Sequence, residues 1–259
     1  MDAKPSLKTV LRRLKLSGFL ATLPERSAYA EKAKLCYQDF LELVLTDEVE
    51  RRDQVSLHRR LARAQFQEEQ TLEGFHWDAP VTFDREKVRD LFGLGFIARK
   101  EDVILMGPVG VGKTHLASAI GHAACRAGKK VLFLRADAML KELLQARADR
   151  SGDRALRKLI APDLLIVDDI GLRRLDATGS SDLYEVIVER HRRSSTVFTS
   201  NRTIEEWVTL FDDPMLAQSA LDRLAHNAHQ VVIEGESHRK RQGPGTEQRG
   251  PSATKRGDR

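Results

Sequence analysis

The sequence predicts an α/β fold, with a parallel sheet covered by helices on both faces and a small all-α domain in front of it. Three observations predict this. A G-x-x-x-x-G-K-[ST] pattern runs from Gly107 to Thr114, between an apolar strand and a helix former. Short apolar runs then alternate with longer helical segments, which is the pattern of parallel strands joined by crossover helices. Finally, residues 6–73 follow the helical period, and no glycine falls between Gly18 and Gly74.

In the N-terminal segment, Leu11, Leu14, Leu16 and Phe19-Leu20 form one apolar stripe. Phe40, Leu41, Leu43, Val44 and Leu45 form another, followed by Leu57 and Leu61, and Leu23-Pro24 reads as a loop. Residues 71–80 are aromatic and turn-rich (Phe75, Trp77, Pro80) and read as a junction. The domains expected are therefore 1–73, helical; 74–238, α/β; and 239–259, a basic tail with too few apolar residues to order itself alone.

Within the α/β segment, Val103-Ile104-Leu105-Met106 leads into the glycine-rich loop, and a helix leaves it from Thr114 to Ala127. Strands follow at Val131-Leu132-Phe133-Leu134, Leu164-Leu165-Ile166-Val167, Thr196-Val197-Phe198-Thr199 and Gln230-Val231-Val232-Ile233. Helices are expected from Asp137 to about Ala148 and from Asp182 to Arg193. The strands are near-continuous apolar runs rather than alternating ones, so they are expected to be buried on both faces.

The 259 residues hold one large domain or one with a small appendage. No apolar run approaches the roughly 20 residues of a membrane helix, and the N-terminus has no secretory apolar core, so a cytoplasmic location with no membrane partner is expected. Cys36 and Cys125 lie far apart without metal-ligand spacing and read as reduced thiols. The net charge of +5 is compatible with nucleic acid as a partner but does not establish it.

Chemistry concentrates in the glycine-rich loop. Backbone N–H groups of Gly107, Pro108's loop neighbours Val109, Gly110, Val111 and Gly112, and the first helical residues through His115 can wrap a polyphosphate at a helix N-terminus. Lys113 supplies a positive charge to the β and γ phosphates, and Thr114 a hydroxyl ligand for Mg²⁺. The strand ending in Asp168-Asp169 supplies hard oxygen ligands at the same sheet edge. Asp168 is the second candidate Mg²⁺ ligand, and Asp169 is placed to orient or deprotonate the attacking water. ATP and Mg²⁺ are thus the expected cofactors.

Asn201 ends the next strand and offers both donor and acceptor to a γ-phosphate or a lytic water. It could instead cap the helix beginning at Thr203-Ile204-Glu205-Glu206, but Thr203 and Glu206 form a capping box of their own and leave Asn201 free. Arg223, late on a helix, reads either as surface charge or as a finger reaching a neighbouring subunit's γ-phosphate.

Together the motifs at 107–116 (GPVGVGKTHL), 164–171 (LLIVDDIG), 199–207 (TSNRTIEEW), 221–229 (LDRLAHNAH) and 235–239 (GESHR) resemble the AAA+ P-loop ATPases of the IstB/DnaC group, and most nearly the IstB helpers of insertion-sequence transposition. The first two motifs are shared by many ATPases, whereas the others are more particular to this group. The resemblance implies a Mg²⁺-dependent ATPase that self-assembles on duplex DNA, holds ATP between subunits and assists a cognate IstA-like transposase at its target site. It implies sensor 1 for Asn201, the arginine finger for Arg223 and a sensor-2-like nucleotide contact for Arg239. The N-terminal segment likewise resembles the small domain that precedes the core in that family.

The chain departs from the family pattern twice. Asp169 stands where a Glu is usual, which implies slow hydrolysis with intact binding, and His238 stands where an aromatic is frequent. Arg51-Arg52, Arg59-Arg60 and Arg63 are placed to track a phosphate backbone along one helix face, although Glu48, Glu50 and Asp53 could instead pair with them. Phe75 and Trp77 are candidates for stacking on adenine or for an interdomain core. Two other functions fit parts of the sequence: a DnaC-like helicase loader, and a stand-alone P-loop kinase or metabolic enzyme, for which no second substrate motif is visible.

Overall fold

The computed structural model describes residues 4–68, 70, 71, 74 and 81–235. Phe75, Trp77, Pro80, His238, Arg239 and the basic tail therefore lie outside the described residues. The chain divides into two compact units, Met1–Ala62 and Arg63–Arg259.

The first unit is helical: α1 (Pro5–Arg13), α2 (Phe19–Ala33) and most of α3 (Tyr37–Ala64). Leu11, Phe19 and Val44 form its buried centre, packed by Leu16, Leu20, Leu23 and Phe40. Leu14, Leu41 and Leu45, expected in the same stripes, are exposed, because the three helices bury only one narrow face. Pro24 lies inside α2 rather than in a loop. It comes just after the first turn, whose N–H groups have no intrahelical partner in any case, so it removes about one bond.

The second unit begins with β1 (Val81–Thr82), α4 (Arg85–Phe92) and α5 (Gly95–Arg99). There follow β2 (Asp102–Met106), α6 (Lys113–Arg126), β3 (Val131–Arg135), α7 (Ala136–Ala148), α8 (Gly152–Ile160), β4 (Leu164–Ile170), α9 (Ala177–Arg190) and β5 (Ser195–Ser200). A 3-10 turn (Glu205–Thr209), α10 (Pro214–Asn227), β6 (Ala228–Val232) and β7 (Glu234–Gly235) complete it. Strands β3-β4-β5-β2-β6 form one sheet in that order, and every neighbouring pair in it is parallel. β1 and β7 pair antiparallel and apart from it. Every residue of β2 and β5 is buried, including Ser195, Thr196, Thr199 and Ser200, which flank the apolar pair Val197-Phe198 in β5.

α9 starts earlier than its apolar pattern suggested. Asp176 accepts from the N–H of Gly179 at 2.7 Å, and this cap nucleates a first turn from Ala177 to Ser180 in which intrinsic propensity disfavours Thr178, Gly179 and Ser180. The helix expected after Asn201 is only the 3-10 turn Glu205–Thr209. The order of strands matters most for function. Because β5 lies between β4 and β2, the C-terminal ends of these three strands bring the glycine-rich loop, Asp168-Asp169 and Asn201 to one edge.

Candidate nucleotide site

The loop between β2 and α6 is held by close backbone contact. Gly107 has φ of 149°, and a Cβ there would lie 2.0 Å from the carbonyl oxygen of Ile233. Only glycine lets the end of β6 press against the loop at this point. The N–H of Ile233 also bonds to the carbonyl of Met106 at 2.7 Å, which ties the residue after β6 to the end of β2 where the loop begins. Gly112, with φ of 100°, turns the chain into α6.

Lys113 is buried, at 5% exposure. Its ammonium donates to the carbonyls of Gly107 (2.8 Å) and Pro108 (2.7 Å) and to Oδ1 of Asn201 (2.7 Å). The loop lysine and the candidate sensor thus meet directly, although 88 positions separate them in sequence. The N–H of Thr203 donates to the Glu206 carboxylate at 2.8 Å, and the 3-10 turn that follows has no side-chain cap, so Asn201 is not used as one.

Asp168 is 3% exposed. It accepts hydrogen bonds from Thr114 Oγ1 at 2.9 and 3.2 Å and from Thr199 Oγ1 at 2.6 Å. Burial pushes its carboxyl above the usual range, the two hydroxyls pull it back, and neighbouring Asp169 adds a further upward push. Thr199 is a residue the sequence reading missed. Its hydroxyl also accepts from the N–H of Asp169 at 2.8 Å, so one side chain positions both acids. A threonine inside an apolar strand gives no signal for this, because it reads as an ordinary β-branched strand residue.

The β4–β5 register slips between Val167 and Ile170, which is the mark of a β-bulge, and Asp169 has φ of 59°. The bulge separates the two acids. Asp168 stays within the buried edge, whereas Asp169 is partly exposed and lines a cavity of about 440 Å³ with Arg135, Leu140, Leu172 and Leu175. Trp207 ends the 199–207 motif, and its structural role is one the motif does not reveal. Fully buried, it donates through Nε1 to Ser200 Oγ at 3.1 Å, and Ser200 Oγ bonds to the carbonyl of Ile170 at 3.1 Å. The tryptophan of TSNRTIEEW thereby braces the strand end that carries Asn201.

Arg223 lies on α10, and both of its hydrogen bonds go to Ser219 rather than to the loop. In the helical unit, Arg51 and Arg52 close on the buried carboxylate of Glu48 at 2.7 and 2.8 Å. These bonds hold Glu48 at about 2. That part of the basic patch is paired within its own helix.

A phosphate-binding loop, a buried carboxylate and a strand-end asparagine on the edge of a β3-β4-β5-β2-β6 sheet define an AAA+ P-loop ATPase. The chain belongs to the family described as IstB-like ATP binding protein, whose pattern matches residues 9–244. It is 41% identical to an insertion-sequence ATP-binding protein of Mycobacterium tuberculosis, covering 93% of this chain and 96% of that one. It is 36% identical to the IS21 ATP-binding protein of Pseudomonas aeruginosa, over 90% and 88%. Two solved structures share the fold. The replication initiator DnaA bound to AMPPCP and single-stranded DNA has a TM-score of 0.54 at 20% identity, over 64% of this chain and 50% of that one. DnaI has a TM-score of 0.53 at 20% identity, over 64% and 91%. The chain is thus an ATP-binding ATPase of the insertion-sequence type. Among the described residues no helix is long and apolar enough to cross a membrane.

Proposed function

We propose that this ATPase assembles on duplex DNA with ATP held between subunits, and that the assembly brings a cognate transposase to its insertion site. The observation that carries the proposal is the division of the site. Lys113, Thr114, Asp168 and Asn201 meet at one sheet edge, while Arg223 is engaged with Ser219 on α10. A γ-phosphate at this edge would gain its remaining positive charge from another subunit's Arg223.

In this reading the loop from Gly107 through His115 cradles the phosphates, Lys113 neutralises them and Asn201 orients the γ-phosphate or the water. Asp169 accepts the water's proton, and Arg239 adds a contact from the C-terminal segment. Thr114 and Asp168 fit Mg²⁺, because they place two hard oxygen ligands 2.9 Å apart beside the loop, one of them a buried carboxylate. The ion would supply charge neutralisation of the phosphates. Residues 1–73 act as the helical domain that contacts the DNA backbone with Arg59 and Arg63, and the tail at 239–259 adds salt-sensitive affinity.

The test is negative-stain imaging and light scattering with duplex DNA, with and without non-hydrolysable ATP. ATP-dependent rings or filaments on duplex DNA are expected, and a preference for single strands with a helicase bound would favour a helicase-loading role instead. Lys113→Ala is expected to weaken nucleotide binding about 100-fold or more, measured with a fluorescent ATP analogue. Arg223→Ala is expected to bind ATP as the parent does and to lose the turnover that assembly stimulates.

A further inference from the structure

The environment of Arg223 differs from that of the arginines around it. Arg147 pairs with Asp182 on α9, and Arg193 pairs with Glu189 at 2.7 Å. Arg223 has no carboxylate partner among the described residues, yet its side chain is held in place. Its Nη1 donates to the carbonyl of Ser219 at 2.7 Å and to Ser219 Oγ at 2.5 Å. Its guanidinium carbon lies 5.8 Å from the centre of the Tyr184 ring. The Tyr184 hydroxyl is 3.4 Å from Ser219 Oγ, so the three side chains form one cluster between α9 and α10.

We propose that Tyr184 and Ser219 are positioning residues that hold Arg223 ready for the ATP site of an adjoining subunit. The proposal rests on the assignment of Arg223 as a finger acting in trans. An aromatic face and two neutral oxygens suit that task where a carboxylate would not. They restrain the guanidinium and leave its charge uncompensated, so it meets a phosphate without first breaking an ion pair. Both bonds to Ser219 use Nη1, which leaves the Nε and Nη2 edge of the planar fork for bidentate contact with phosphate oxygens. Restraining a long side chain beforehand also lowers the entropy lost when it engages. Tyr184 is partly buried against the main core, which fixes the ring that does the restraining.

The test mixes two full-length chains in equal amounts on duplex DNA with ATP. The acceptor carries Arg223→Ala and an intact site. The donor carries Asp169→Asn, which holds nucleotide without turnover, and supplies Arg223. The donor is expected to restore hydrolysis in the acceptor. Adding Tyr184→Leu to the donor should lower the restored kcat about fivefold with KM for ATP unchanged. Tyr184→Phe, which keeps the aromatic face, should restore as the parent donor does. Ser219→Ala in the donor should lower kcat about two- to threefold, since the Ser219 carbonyl remains.

Tyr184→Leu in the acceptor alone should leave the restored rate unchanged, which separates positioning of the donated arginine from damage to the acceptor's own fold. The proposal is overturned if the Tyr184→Leu donor restores hydrolysis as fully as its parent, or if the substitution acts equally in either chain. If the parent donor restores nothing, or Arg223→Ala alone turns over normally, the finger assignment falls and this proposal with it. Thermal melts of each variant exclude unfolding as the cause of a lost rate.

Discussion

Two buried aspartates stand at opposite ends of the same sheet: Asp168 near the C-terminal end of β4 and Asp102 at the start of β2. They are 3% and 4% exposed, and burial pushes both carboxyls upward, that of Asp102 to about 6. Their partners differ in kind. Asp168 is bonded by two rotatable hydroxyls, Thr114 and Thr199, so a cation can take one of its oxygens without breaking a backbone bond. Asp102 accepts from the backbone N–H of Thr196 at 2.7 Å, in the field of buried Arg190. Burial and a raised pKa alone therefore do not mark a site; exchangeable partners do.

The largest expected effect lies at the fixed end. Arg190, 1% exposed, donates to Thr196 Oγ1 at 3.0 Å and to the carbonyls of Leu159 (2.8 Å), Ile160 (3.2 Å), Pro162 (3.2 Å) and Ser195. One guanidinium thus satisfies the turn after α8 and the start of β5. Arg190→Met should lower stability by about 3 to 5 kcal/mol, because it orphans buried carbonyls and removes a positive charge that favours ionised Asp102. Asp168→Asn should cost about 1 kcal/mol or less while removing ATP turnover. Urea unfolding followed by tryptophan fluorescence compares the two, and equal midpoints would erase the contrast between the ends.

A smaller effect follows from pH. The folded-state pKa of Asp102 lies above its ordinary value of 3.8. The fold therefore favours the protonated form, and this contribution is fully present below about pH 4 and lost as pH rises through about 6. Asn at this position keeps an acceptor for Thr196 and cannot ionise. Between pH 4 and 7 the parent should lose about 2 kcal/mol relative to Asp102→Asn. Unfolding midpoints at pH 4, 5, 6 and 7 measure the difference. A constant gap would mean that Asp102 is ionised throughout.

The two ends also differ in how far the sequence reveals them. The site end was legible because phosphate chemistry demands particular residues at fixed spacing: the loop, the strand ending in two acids, and the asparagine all lie where the pattern put them. β2, β3 and β4 were legible as continuous apolar runs, whereas β6 is only part-buried, with Val232 exposed, and the two-residue strands β1 and β7 carry no such run. Arg190 was not, since an arginine at a helix end reads as surface charge until a turn from a distant segment closes over it. Thr199 and Trp207 were hidden for the same reason, because their roles depend on which strand lies beside them. Helix α8 escaped notice behind Arg150, Ser151 and Gly152, and α9 began on a cap that the apolar period cannot register.

The smallest effect bears on Asp169, where the resemblance to AAA+ ATPases leads to an expectation of Glu. The sequence shows only a shorter side chain, but the structure adds a backbone reason for it. Asp169 lies in the β4 bulge at φ of 59°, a left-handed conformation that Asp and Asn tolerate better than other side-chain-bearing residues. Its N–H is pinned there by Thr199 Oγ1 at 2.8 Å, so the backbone does not relax without disturbing Asp168 as well. Asp169→Glu should therefore cost about 1 kcal/mol of stability where Asp169→Asn costs nearly nothing. The longer carboxylate should not simply speed hydrolysis, because strain at the bulge offsets its added reach. Thermal midpoints and single-turnover rates for both variants separate the terms. If Asp169→Glu proves as stable as the parent and hydrolyses ATP faster, side-chain length alone limits the site, and the bulge has no part in the contrast between the two ends of the sheet.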